Sequence, residues 1–489
     1  MVWNLRRAIL MGGILSLAAG PAAAAVPSFE SRDLARAASA TAVGASVRLE
    51  NVLETDSGET AAFVLERFQV FTEDARIVVH GQDGETILPP PAHTYFRGVV
   101  DGRPESRVFL TVRQDGSVEG VVNDAGSFYL IGGEEAPAKA LRNGPLEMRR
   151  VDSVMLKSAS GEGFQCGNDK LPPAPPSFDD LVGGTAGAET AFIEKANPAY
   201  TARVAIETDF EFYQLFNNTT TATVYIGNLI GYSSTIYAAE INTSLVVSSV
   251  SLWTTSGDPW TQTGTACGLL EFGNYWNANR TGVSRTIAHF MSGKNNGGGV
   301  AWLGVLCSAP FSVSQAQLGV SCPGLASSGS FGGGYGFTGS MGGDFDINNP
   351  SIVWDIMAVS HEIGHNFNSP HTHCYANLGG NANPVDQCYN GECGGTGCSC
   401  AAQSLPGPAG AGSGTIMSYC HLNRGSYSDL SLTFGTNHPY GVQPARVPSR
   451  MSSHVVSRAA SNPSCLAFVP GPSTIFSDGF ESGSKSAWQ

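Results

Sequence analysis

His361 and His365 stand four residues apart with Glu362 between them. In a helix that spacing puts both imidazoles on one face, about 40° apart and one turn along the axis, so both can reach one metal ion. Glu362 falls about 100° round from His361, beside such an ion rather than on it. There a carboxylate can take a proton from a metal-activated water. A catalytic zinc site needs a third protein ligand and an open fourth position. His371 is the expected third donor, with His373 as a rival two residues on. In an uninterrupted helix His371 would lie about 9 Å beyond His365 along the axis, too far for bonds of about 2 Å to one ion. The chain has to turn. Pro370 disfavours helix at Ser369, and Asn368 tolerates the left-handed conformation that ends helices.

The helix carrying these residues is expected to start at Asn349, with Pro350 at its first position. Val353, Ile356, Met357, Ile363, Gly364 and Phe367 give it one buried face. Strands are expected at Ala202–Ile206, Leu245–Trp253 and Gly299–Gly304, a helix at Thr221–Asn242, and a Gly/Ser-rich loop from Pro323 to Gly343. Strands alternating with helices predict a mixed α/β or α+β unit around the metal helix. Upstream, residues 26 to about 165 run as short β-type segments. Arg107–Arg113 and Gly120–Asn123, joined through Asp115 and Gly116, predict a hairpin in a mostly β unit.

A chain of 489 residues is too long for one compact core. The boundaries read as 1–25, 26–170, 171–197, 198–469 and 470–489. The first has the form of a signal peptide: Arg6 and Arg7, an apolar run from Ala8 to Ala19, then small residues up to Ala25. That run is too short to span a bilayer, so a secreted protein with no membrane partner is expected. The third, rich in Pro, Gly and Ala, reads as an exposed linker open to proteolysis. A formal net charge of −14 argues against nucleic acid as a partner. Of eleven cysteines, ten lie between Cys267 and Cys465 and can form five bridges in an oxidising compartment, while Cys166 stands apart. The six from Cys374 to Cys420 are expected to staple a long insertion by disulfides rather than to bind a second zinc.

The segment His361–His371 resembles the H-E-x-x-H-x-x-G-x-x-H motif of the metzincin metallopeptidases, with Asn368 where the family has glycine. The resemblance implies a zincin-like catalytic domain with a twisted mixed sheet and an active-site helix, preceded by a mostly β propeptide domain. It also implies a methionine turn beneath the metal, matched by Gly414–Cys420 with Met417 at the turn. Among metzincins the chain is most similar to the reprolysin (adamalysin, ADAM-type) group. Gly299–Cys307 resembles the edge strand above that group's cleft, which makes Gly299, Val300, Ala301 and Trp302 the expected substrate-binding strand. Phe96–Phe109 resembles its propeptide. Met417-Ser418-Tyr419 is similar to the serralysins, where the tyrosine approaches the zinc, so Tyr419 is a candidate transition-state donor. The segments Ile475–Gly483 and Ser486–Trp488 resemble a tail of some bacterial secreted proteins.

Related zymogens use a cysteine at the end of the propeptide to occupy the open zinc position, and Cys166-Gly167 stands at that place. Gly167 would let the backbone approach closely. The function implied is a secreted zinc endopeptidase made as a zymogen, with Glu362 as general base and one catalytic Zn2+. Its partners would be protein or peptide substrates and its own propeptide as inhibitor, and a monomer is expected. Calcium binding is left open, as are cleavage specificity and the activation site. Two other readings compete: a metzincin-fold binding or adhesion protein without activity, and a non-peptidase zinc hydrolase. An intact Glu362 disfavours the first.

Overall fold

A computed structural model describes residues 26–30, 33–54, 60–124, 127–132, 148–151, 165–171, 198–343, 351–423 and 426–468. The leader at 1–25, the linker from 172 to 197, the helix start at Asn349-Pro350 and the tail from 470 lie outside the described residues.

The first part of the chain is β-rich, as its short alternating runs require. It comprises β1 (Ser28–Glu30), helix α1 (Leu34–Ala40), β2 (Ser46–Glu54), β3 (Thr60–Phe68), β4 (Phe71–Gly81) and β5 (Gly84–Leu88). There follow β6 (Thr94–Val100), β7 (Arg103–Val112), β8 (Val118–Asp124), β9 (Ser127–Ile131) and β10 (Met148–Val151). Eight of these strands form one sheet in the order β1-β2-β3-β6-β7-β8-β9-β10. The β7–β8 hairpin pairs Arg107 with Asn123, and Gly116 supplies the left-handed turn residue at φ +82°. One face of the sheet closes on its own core of Val47, Leu49, Phe63, Phe96, Val108 and Leu110.

The second sheet is mixed. Its strands are β11 (Gln165–Cys166), β12 (Tyr200–Thr208), β13 (Thr243–Trp253), β14 (Ile287–Met291), β15 (Gly298–Ala301), β18 (Tyr335–Thr338) and β19 (Leu466–Phe468), with a separate hairpin of β16 (Phe311–Ser314) and β17 (Ser328–Gly332). The order is β11-β15-β18-β14-β12-β13-β4-β5, with β19 also on β12. Strands β18, β14, β12 and β13 run parallel to one another, while β15 is antiparallel to β18. The hairpin β4–β5 therefore leaves the first sheet and extends the second, parallel to β13.

The expected loop from Pro323 to Gly343 contains two strands, and β18 lies inside the main sheet. Composition hid it because its one glycine, Gly336, is a steric necessity amid a glycine-rich stretch. A Cβ on Gly336 would lie 2.9 Å from His289 Nδ1 and 3.2 Å from Asn366 Oδ1. Tyr335 and Phe337 alternate with it and pack into an aromatic cluster with Phe272 and Phe290.

Helices α2 (Phe210–Gln214), α3 (Thr219–Ile241), α4 (Thr265–Asn279), α5 (Ser351–Asn366) and α6 (Arg446–Ser461) complete the fold. Asn218 caps α3 by accepting from Thr221 N at 2.9 Å, and Asn242 ends it in the left-handed region at φ 56°. Helix α3 is buried nearly all round, which marks a helix packed on more than one side. It holds α5 through Tyr237 Oη, which donates to Ser360 O at 2.9 Å, and through Ser233 and Ser360 hydroxyls at 2.9 Å. Five disulfides pair all ten cysteines from Cys267 onward, and Cys166 is free and buried. Among the described residues no helix is long and apolar enough to cross a membrane.

Candidate metal centre

Helix α5 places His361, Glu362 and His365 in the interior, where all three are fully buried. His361 Nδ1 lies 2.7 Å from Ile416 O, and His365 Nδ1 lies 2.7 Å from Ser369 O. A carbonyl only accepts, so each Nδ1 carries the proton and each Nε2 presents a lone pair. Those two Nε2 atoms are 3.1 Å apart, an arrangement that is repulsive until a cation sits between them.

The chain turns where the third donor requires it. Asn368 takes φ 75°, and Asn368 N donates to His365 O at 2.8 Å while Ser369 N donates to Gly364 O at 3.1 Å. Arg450 pins the turn by donating to Asn368 O at 2.6 Å and to Asn368 Oδ1 at 2.9 Å. His371 then faces the pair, its ring centroid 5.2 Å from His361 and 4.8 Å from His365. Its Nδ1 lies 2.7 Å from Glu392 Oε1, and its buried Nε2 has no hydrogen-bond partner among the described residues. His373 stands behind it, stacked at 5.3 Å and facing Glu392 Oε2 at 3.4 Å.

The ligand atoms of His361, His365, His371 and Cys166 all lie within 4.8 Å of one another. Tetrahedral zinc with bonds of about 2.0–2.3 Å needs donors about 3.3–3.8 Å apart. Three oriented lone pairs, one of them an orphan, and one sulfur fit that ion. Cys166 Sγ lies 3.4 Å from His365 Nε2 and 3.5 Å from Glu362 Oε2. Burial, and then the neighbouring imidazoles, hold His361 and His365 well below the usual histidine range, so both are neutral and able to ligate. Burial raises Cys166 and Glu362 well above their ordinary values, with Glu362 adding to the effect on Cys166. A dication at this point opposes both shifts by favouring thiolate and carboxylate.

Met417 lies beneath the helix. A Cβ on Gly364 would come 2.5 Å from Met417 Sδ, so the glycine inside the motif is what admits the sulfur. The same turn supplies Ile416 O to His361, and Met417 O accepts from Thr372 N at 3.0 Å. Tyr419 lies over the site, its ring 4.6 Å from that of His371. Its hydroxyl accepts from Cys166 N at 2.8 Å and donates to Cys166 O at 2.9 Å.

The edge strand β15 borders this centre. Val300, Ala301 and Trp302 are buried, and a Cβ on Gly299 would lie 2.4 Å from Glu362 Oε1. Its free edge is taken by β11, parallel, with Gln165 opposite Gly298 and Cys166 opposite Gly299. Asn168 Nδ2 adds a bond to Ala301 O at 3.2 Å. Gly167 does not owe its identity to close packing, since a Cβ there would meet Thr265 Oγ1 at 3.4 Å and Val300 at 3.6 Å, ordinary contact distances.

Glu392 is the member of the site that sequence reasoning misses. It lies in the cysteine-rich insertion, which is stapled by Cys374–Cys398, Cys388–Cys420 and Cys393–Cys400. A lone acid among glycines and cysteines carries no periodic or motif signal. The only cue is the density of staples around it.

Residues 199–428 match the family model Reprolysin_5, metallo-peptidase family M12. Among solved structures the chain is similar to metalloproteinase-II from Bacteroides fragilis, at 11% identity, covering 71% of this chain and 88% of that one with a TM-score of 0.34. No curated protein matches the chain. The family match falls on the residues that build the histidine cluster, so the chain carries an M12-like metzincin domain and is a zinc metalloendopeptidase.

Proposed function

We propose that the protein is a secreted endopeptidase of the reprolysin-like type, of bacterial origin and made as a zymogen, in which His361, His365 and His371 hold one zinc ion. The observation that carries this reading is the convergence of three buried imidazoles whose Nδ1 atoms are all engaged, leaving three Nε2 donors for one ion. Bound there, zinc supplies Lewis acidity that activates water and polarises a scissile carbonyl. Glu362 is the base: Oε1 is buried without a hydrogen-bond partner among the described residues, and takes a proton from the attacking water. The same carboxyl then delivers that proton to the departing amine. Substrate lies extended along Gly299–Trp302, and the pairing of β11 there supports the edge as a strand acceptor. Tyr419 Oη, once free of Cys166, donates to the developing oxyanion.

In the latent chain Cys166 would hold the zinc together with the three histidines and so keep water from it. Its sulfur among the three imidazoles and its freedom from disulfides support this role. The test is hydrolysis of casein by Cys166→Ala protein, with and without 1,10-phenanthroline. Chelation is expected to abolish cleavage and added zinc to restore it. Cleavage that survives full zinc removal would reject the reading.

A further inference from the structure

The N-terminal region touches the rest of the molecule in two places of different kinds. One is the blocking contact at the metal centre, where two residues of β11 pair with β15. The other is at the far end of the same sheet. There β4 pairs with β13 in parallel register, from Val247 opposite Phe71 to Trp253 opposite His80. Remove β4, and β13 becomes an open edge of eleven largely buried residues, the kind of edge that soluble proteins avoid exposing.

Side chains bind the two halves equally closely. Phe68, Val70, Phe71, Tyr95 and Phe109 share one continuous core with Ile226, Leu229, Ile230 and Tyr232 of α3. Helix α3 gives up side chains to admit them. A Cβ on Gly227 would lie 2.8 Å from the Phe71 ring, and one on Gly231 would lie 2.5 Å from the Phe109 ring. Glycine inside a helix costs stability, so two of them under two aromatic rings mark a surface shaped for this partner. Buried polar groups also cross the boundary: Arg97 donates to Ser244 Oγ at 2.9 Å and Thr111 Oγ1 donates to Asn228 Oδ1 at 2.7 Å. His80 stacks on Trp253 at 3.9 Å, with Nε2 2.8 Å from Ser251 Oγ. Separation would leave these groups unpaired and the apolar face of α3 wet.

We propose that the N-terminal region is a permanent, non-covalent half of the mature enzyme, retained through the β4–β13 pairing and the α3 face after the linker is cut. The proposal rests on reading 171–197 as the activation region. None of the five disulfides joins the two halves, so the interface alone does the holding. It follows that Cys166, still joined to the retained region, leaves the cleft by a local displacement of its own segment and not with a departing domain.

The test uses the full chain with a recognition sequence for a site-specific protease inserted between Gly183 and Gly184. After complete cutting, both fragments are expected to elute together by size exclusion at about 50 nM, a dilution that a micromolar contact does not survive. They should part only in denaturant. An N-terminal fragment eluting alone in native buffer overturns the proposal. The cut Gly231→Ala chain, in which the new methyl meets the Phe109 ring, is expected to part at lower urea than the cut parent. Equal midpoints would overturn the assignment of α3 as the holding surface. Because the cut is engineered, retention is read independently of latency, which Cys166→Ala tests by itself.

Discussion

Tyr419 grips Cys166 by its backbone on both sides: its one hydroxyl accepts from Cys166 N at 2.8 Å and donates to Cys166 O at 2.9 Å. The same tyrosine that would serve an oxyanion is spent holding the inhibitor, and freeing one frees the other. Full-length Cys166→Ala loses the sulfur but keeps both backbone bonds to Tyr419, so it is expected to cleave casein without processing at only part of the rate of the processed enzyme, while the unprocessed parent stays silent. Tyr419→Phe with Cys166 intact should leak weakly, since the strand loses two bonds. Silence of the unprocessed Cys166→Ala chain, zinc being present, contradicts this use of the cysteine.

Glu392 would act on a bound metal through His371. Its Oε1, 2.7 Å from His371 Nδ1, orients the ring and strengthens its Nε2 as a donor. Glu392→Ala is expected to weaken zinc affinity by about 10–100-fold, read by competition with a chromogenic chelator. Glu392→Gln, which keeps an acceptor but loses the charge, should fall between. Unchanged affinity in both would leave the carboxylate no role at the site.

Gly364 and Met417 are matched in volume. The methyl of Gly364→Ala would stand 2.5 Å from Met417 Sδ and 3.3 Å from Phe434 Cε1. Overpacking of this kind costs about 1–3 kcal/mol, to be read as a lowered urea midpoint. The double variant with Met417→Ala should recover part of the loss. A single variant as stable as the parent would show that the turn can move aside.

The legible part of this protein was the part with a short period or a chemical spacing. The histidine pair, Glu362, the break at Asn368-Pro370 and the hairpin around Gly116 all depend on neighbours within a dozen residues. Strand β18 was hidden because its glycine, Gly336, is dictated by His289 and Asn366, from distant strand and helix. Glu392 was hidden for the same reason, being brought to His371 by disulfides rather than by local pattern. Likewise, nothing in residues 71–88 distinguishes strands of the first sheet from strands of the second. That choice is made by β13 and α3, well over a hundred residues later.

His289 makes an acid sensitivity that is independent of zinc. It is fully buried, with Nε2 2.9 Å from Thr338 Oγ1, and burial drives its pKa down to about 3. The unfolded chain takes up that proton near pH 6.5 and the folded chain refuses it. Its contribution is thus fully present above about pH 6.5 and is lost as pH falls toward 3, by about 1.4 kcal/mol per unit. His289→Gln should flatten the fall in urea midpoint between about pH 6 and 4 relative to the parent. Parallel profiles for the two proteins would exclude this histidine as a source.

Glu362 is buried beside the donor cluster but contributes no ligand atom to it. In the Cys166→Ala chain, the further change Glu362→Ala should leave one zinc per chain by elemental analysis and remove casein hydrolysis. Loss of the zinc would make Glu362 part of the metal cage, and retained hydrolysis would place the base elsewhere; either result contradicts the mechanism.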